Sequence, residues 1–133
     1  MHKLLRSRHV LAVALVLAAL LARAQWTAVA ENDQIRVYAD RATIRRQESI
    51  VTMWSLMDYR QSQLGKNGSY LSSKGHDEYD CALRRTRLLL TTEHDGRMGT
   101  GKMLGSEPVQ AAWEDVTDSS LMGMLWRYAC RSK

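Results

Sequence analysis

Hydrophobic and polar residues alternate along most of this chain, and the alternation predicts strands. Trp26 to Val29 reads as a short strand, and Ile35 to Ala39 sets Ile35, Val37 and Ala39 against Arg36 and Tyr38. Ser49 to Arg60 is a longer strand, with Ile50, Trp54 and Leu56 on one face and Val51, Met53, Met57 and Tyr59 on the other. Asn67-Gly68 is a hairpin signal, and Ser69 to Lys74 follows it as the next strand. Tyr79, Cys81 and Leu83 alternate inward, whereas Leu88 and Leu90 have the opposite parity. A bulge or break near Arg85 to Arg87 would reconcile them. Asp95-Gly96 marks a turn, Met98 to Leu104 a further strand, and Pro108 opens a connecting loop that leads to Trp113.

The period then changes. Leu121, Met122, Leu125, Trp126 and Ala129 form one apolar stripe at helical spacing. Asp118 or Ser119 would cap its start, and Arg127, Arg131 and Lys133 suit its end. The expected fold is α+β: a small antiparallel sheet of about five to six strands, with a C-terminal helix packed on it.

The N-terminus follows another pattern. Lys3, Arg6 and Arg8 precede an unbroken apolar run from Val10 to Leu21, and Ala22-Arg23-Ala24 is a small-x-small cleavage site. The run is a dozen residues, against roughly 20 for a bilayer span. Residues 1–24 are therefore read as a secretory signal peptide, cleaved between Ala24 and Gln25, and residues 25–133 as a single domain. No Cys follows the run, so a lipid-attachment box is absent.

Cleavage changes the charge. The whole chain carries a formal +5, and Lys3, Arg6, Arg8 and Arg23 would leave with the signal, so the remaining 109 residues carry +1. That balance argues against nucleic-acid binding, which needs a clustered excess of Lys and Arg. Two basic segments remain: Arg41, Arg45 and Arg46, and Arg84, Arg85 and Arg87. Both read as solvated strand faces. The two cysteines, Cys81 and Cys130, would be exported to an oxidising compartment, where one intramolecular disulfide is the default; intermolecular bridges and free thiols are the alternatives.

Catalytic patterns are sparse. His76, Asp77, Glu78 and Asp80 are dense in polar groups but sequential, and read as a solvated loop. Gly96 to Met103 matches the spacing G-x4-G-K of a phosphate loop but places Met103 where that motif needs a hydroxyl for Mg²⁺. No nucleophile and base pair is evident, so neither enzymatic activity nor a cofactor or metal is expected.

An ordered set of residues carries a family resemblance. It comprises Trp26; Tyr38-Ala39-Asp40 with Ile44 and Arg45; Val51-Thr52-Met53-Trp54 with Asp58-Tyr59; and Tyr70 with Ser72 and Lys74. It continues through Glu78-Tyr79-Asp80-Cys81 with Arg84 and Arg87, Met98-Gly99-Thr100-Gly101, Trp113, Ser119-Ser120, Leu125-Trp126 and Ala129-Cys130. From Trp26 to Cys130 the chain resembles the surface-adhesin protein E family, small exported domains of Gram-negative bacteria. The resemblance implies an antiparallel sheet, a C-terminal helix and a Cys81–Cys130 bridge. It also implies adhesion to host proteins such as laminin, vitronectin or plasminogen. Arg41, Arg45, Arg46, Tyr59 and Arg60 are the candidate partner contacts.

The functional expectation is an exported, non-enzymatic protein-binding module. It would reside in the periplasm, at the outer-membrane surface or in the medium, with no transmembrane anchor in the mature chain. Its oligomeric state, including a homodimer, is left open. The alternative is a periplasmic structural or envelope-stress protein with no host ligand. The processing step has a direct check: N-terminal sequencing of protein from the envelope fraction should begin at Gln25, and a mature species retaining Met1 to Ala24 would contradict it.

Overall fold

The structure is a computed structural model that describes residues 24–131. Apart from Ala24, the expected signal peptide lies outside the described residues, as does Lys133. The strands are β1 (Trp26–Glu31), β2 (Ile35–Gln47), β3 (Ile50–Gly65), β4 (Gly68–Asp80), β5 (Arg85–His94), β6 (Met103–Pro108) and the short β7 (Glu114–Asp115). A single α-helix, α1 (Leu121–Arg131), follows them. The sheet is an antiparallel meander in the order β1-β2-β3-β4-β5-β6, and β7 pairs with β5 beyond the end of β6.

Strand alternation divides the sheet into two faces. Ile35, Val37 and Ala39 on β2, Val51 and Met53 on β3, and Tyr79 on β4 are buried together with Leu125 and Ala129 of α1. This is the core, and the helix supplies its other layer. Full burial of a side chain such as Leu125 contributes about 1.5–3 kcal/mol. The opposite face is covered locally. Leu56 is fully buried there under a tight loop that contains a 3-10 turn at Arg97–Gly99. Trp54 and His76 stack on the same face with ring centroids 4.9 Å apart.

The helix starts at a different cap from the expected one. Ser120, and not Asp118 or Ser119, accepts a hydrogen bond at Oγ from the Gly123 N–H at 2.9 Å. Its hydroxyl donates in turn to the Thr117 carbonyl. Cys81 and Cys130 are bonded, with Cα atoms 5.6 Å apart. Cys81 lies in the turn between β4 and β5, one residue beyond the strand expected to hold it. That turn is set by Asp80, whose Oδ1 accepts from the N–H groups of Ala82 and Leu83. Leu83 is consequently exposed at the turn's tip and does not face inward.

Three further expectations are corrected. His76 to Asp80 is strand, so His76, Glu78 and Asp80 face one side and Asp77 the other. The parity change in β5 is a bulge at Leu89, between the pairs His76–Leu90 and Asp77–Leu88, and the break near Arg85 is the turn itself. The expected strand from Met98 begins only at Met103. Residues 96–101 fold back on themselves instead, with the Gly96 N–H bonded to the Thr100 carbonyl. Gly101 has φ +77°, and a Cβ there would fall on the Asp95 carboxylate. The glycine segment thus leads into a strand, where a phosphate loop would open a helix.

The bridge closes a long loop, with a sequence separation of 49 residues. Cys130→Ser should lower unfolding free energy by about 4 kcal/mol on the loop-entropy argument. Thermal denaturation of both proteins checks this, and an unchanged melting temperature would show that core packing alone holds α1.

Candidate interaction surface

Two large bulges shape the surface. In β2 the register steps from the pair Asp40–Trp54 to Arg45–Thr52, so residues 41–44 oppose Met53 alone. The excursion is fixed locally: Asp40 Oδ1 accepts from the Ala42 N–H, and Thr43 Oγ1 donates to the Asp40 carbonyl. Thr43 Oγ1 also accepts from the Trp54 N–H. In β3 the register steps from Asp58–Ser72 to Gln63–Tyr70, so residues 59–62 oppose Leu71 alone. Arg97 stitches this bulge by donating to the carbonyls of Tyr59 and Arg60.

The five candidate contacts sit at these bulges, in two separate groups. Arg41, Arg45 and Arg46 are at one end of β2, and Tyr59 and Arg60 are beside its other end, where Tyr59 pairs with Ile35. Because residues 41–44 bulge out, the span follows the partner strand, where seven residues separate Tyr59 from Thr52, roughly 23 Å at about 3.3 Å per residue. Several of the side chains are already engaged. Arg45 donates to the carbonyls of Ala42 and Ile44. Arg46 donates to the Cys130 carbonyl at the end of α1. Arg60 pairs with Glu31 at 3.3 Å. Tyr59 is half-buried, edge-on to Tyr70.

Each group borders a cleft. Arg41 meets Arg127 and Arg131 of α1 around a cleft of about 520 Å³ floored by Ala28 and Val29 of β1, with Met124 and Tyr128 on its helix side. The helical arginines escape sequence reasoning because they read as ordinary partners of a helix C-terminus. The signal that would have found them is the i, i+4 spacing of Arg127 and Arg131, on the flank of the apolar stripe. Arg127 is held 3.7 Å from Asp118. The second cleft, about 720 Å³, lies among Asp33, Gln34, Ile35, Tyr59, Arg60, Gln61 and Gln63.

The expected solvated face of Arg84, Arg85 and Arg87 is more ordered than a bare strand face. The Arg85 and Arg87 guanidinium groups lie 4.6 and 4.4 Å from the centroid of the Trp113 ring. Arg85 also pairs with Asp80, and Arg87 with Glu78. Arg84 pairs with Asp118 and lies over Trp126. Among the described residues, no group of three or more His, Cys, Asp or Glu side chains converges as a metal would require.

The sequence profile of the surface-adhesin protein E family matches residues 26–131. The chain belongs to that family. No curated protein matches the sequence. Membership in the surface-adhesin protein E family implies a surface adhesin with protein ligands, exported and not enzymatic. Among the described residues, no helix is long and apolar enough to cross a membrane.

A third cleft, about 330 Å³, opens on the helix side of the sheet and was not anticipated. Asp77 lies in its floor, 5% exposed, with Ser55 beside it. Burial pushes the Asp77 carboxyl up to about 7, opposed by a hydrogen bond from Ser55. The other titratable groups around it are Tyr79 on the same strand, Arg87 on β5 and Glu114 on β7. Keeping Asp77 protonated favours the folded state, and that benefit is lost as pH rises from about 4 to about 7. Burial lowers the pKa of His76 and His94, which act in the opposite direction, so a variant must isolate the carboxyl. Asp77→Asn should gain on the parent protein by roughly 4 kcal/mol at most between pH 4 and pH 8. Denaturant melts at both pH values check this, and a difference independent of pH would contradict it.

Proposed function

We propose that this chain is an exported adhesive module that binds host proteins through side chains of the cleft between β1 and α1. Membership in the adhesin family is the observation that carries the reading. In it, residues 1–24 direct export and are removed, and residues 25–133 form the binding domain. The partners are matrix or serum proteins such as laminin, vitronectin or plasminogen.

Two features favour the cleft over edge pairing. β1 has six residues and a bulge at Val29, and β6 has six residues ending in Pro108. Short, bulged or proline-bearing edges are poor templates for strand addition. The cleft instead presents Arg41, Arg127 and Arg131 around an apolar floor. Arginine beside apolar and aromatic surface is the composition of interface anchors. The matching partner surface is an acidic segment with an apolar residue to fill the floor.

The test immobilises the mature domain and measures laminin, vitronectin and plasminogen at about 0.15 M salt and above. Saturable binding to one of them is expected. The triple change of Arg41, Arg127 and Arg131 to Ala should weaken it at least about tenfold. Absence of binding to all three, with a wholly periplasmic location in cells, would overturn the adhesive reading and favour a periplasmic structural role.

A further inference from the structure

We propose that the cleft over Asp77 is a binding site for a small organic ammonium carried on an apolar or aromatic body. The inference rests on this cleft alone and is independent of the adhesive reading.

The cleft is built in two chemical halves. Its floor is polar, with the Asp77 carboxyl, the Ser55 hydroxyl and the Thr91 hydroxyl. Its walls are apolar, formed by Met57, Leu88 and Met122. Such a pocket, mostly apolar with a few convergent polar groups, is the usual form of a small-ligand site, and about 330 Å³ falls at the lower end of the range. Gly75 keeps it open. A Cβ at that position would stand 3.0 Å from Asp77 Oδ2 and 3.3 Å from Leu88 Cδ1.

Charge selects the ligand. A buried carboxylate is costly unless paired. None of the ion pairs among the described residues involves Asp77. Arg87 borders the cleft from β5, but its guanidinium lies on the sheet face of Glu78, paired with that residue at 3.2 Å and stacked on Trp113. Glu114 adds a second negative group at the rim. Tyr79, fully buried on the same strand, raises no positive charge. A cation completes the set, whereas an anion meets two carboxylates. A single buried carboxylate without further convergent ligands suits an ammonium hydrogen-bonded to Asp77 and Ser55 better than a metal ion.

The test titrates the mature chain with phenethylammonium, 2-phenylethanol and 3-phenylpropionate, which share a body and differ in the head group. Calorimetry near pH 7 should show saturable binding of the ammonium, and at least about tenfold weaker binding of the alcohol. Pairing with the carboxylate should release about half a proton per ligand at pH 7, read from buffers of different ionisation enthalpy. Asp77→Asn, shown to be folded by its near-ultraviolet circular dichroism, should weaken the ammonium at least about tenfold. Gly75→Ala, which fills the floor and keeps the carboxyl, should weaken it as well. Equal affinity for the alcohol, preference for the propionate, unchanged affinity in Asp77→Asn, or no binding of any probe at millimolar concentration would each overturn the proposal.

Discussion

The Asp80 carboxylate organises the corner on which the rest of the molecule depends. Its Oδ1 takes the two N–H groups that close the turn between β4 and β5, and its Oδ2 takes Arg85 Nε at 3.0 Å. Those backbone hydrogen bonds, with Arg85 beyond them, hold the carboxyl below the usual carboxylate range. The Asp80 carbonyl receives the indole N–H of Trp126, and the next residue, Cys81, carries the disulfide to Cys130. One turn therefore fixes the hairpin and two of the attachments of the helix. The helix is only 11 residues long, a length that is marginal in isolation, so its stability comes from this anchorage and from its apolar face.

That corner explains why scattered residues mark the family. Glu78, Tyr79, Asp80, Cys81, Arg84, Arg87, Trp113, Trp126 and Cys130 are separated by up to 52 positions, yet they meet within one turn and the elements packed on it. Glu78 holds Arg87, Arg87 and Arg85 sandwich Trp113, and Arg84 covers Trp126. Each guanidinium–indole contact is worth about 0.5–2 kcal/mol, depending on how far it is desolvated. Together they bring the segment after Pro108 back to β5, where β7 completes the ladder.

The strands and the helix were legible because alternation and helical spacing are set by burial, and burial follows the sequence directly. Val37, Val51, Met53, Tyr79 and Leu125 all face the core as their spacing demands. The large bulges of β2 and β3 were not legible, because local bonds are completed there by bonds between side chain and distant backbone. Thr43 serves its own turn and also the Trp54 N–H eleven residues away, and no short window of sequence contains both. The strand expected from Met98 starts only at Met103 for a related reason. The fold of the glycine segment is dictated by Asp95, whose carboxylate takes the Lys102 N–H across the loop. The candidate contacts were found as residue types, but their division into two groups at opposite ends of β2 follows from the register alone.

Bulges also determine how this sheet meets other molecules. A regular meander would offer two long, flat edges, and edges of that kind pair indiscriminately. Here β1 is broken at Val29 and flanked by α1, and β6 is short and ends at Pro108. The interior strands β2 and β3 carry the largest bulges, in the middle of the sheet where a ladder interruption is least favourable. Each interruption is repaired by side chains, Asp40 and Thr43 in one case and Arg97 in the other. The result is that Arg41 leaves the ladder beside one cleft, whereas Arg60, beside another, keeps its backbone bond to the Gln34 carbonyl and pairs with Glu31. The short and bulged edges leave little regular main chain open to unspecific pairing, and the arginines beside the clefts are carried on the sheet and the helix.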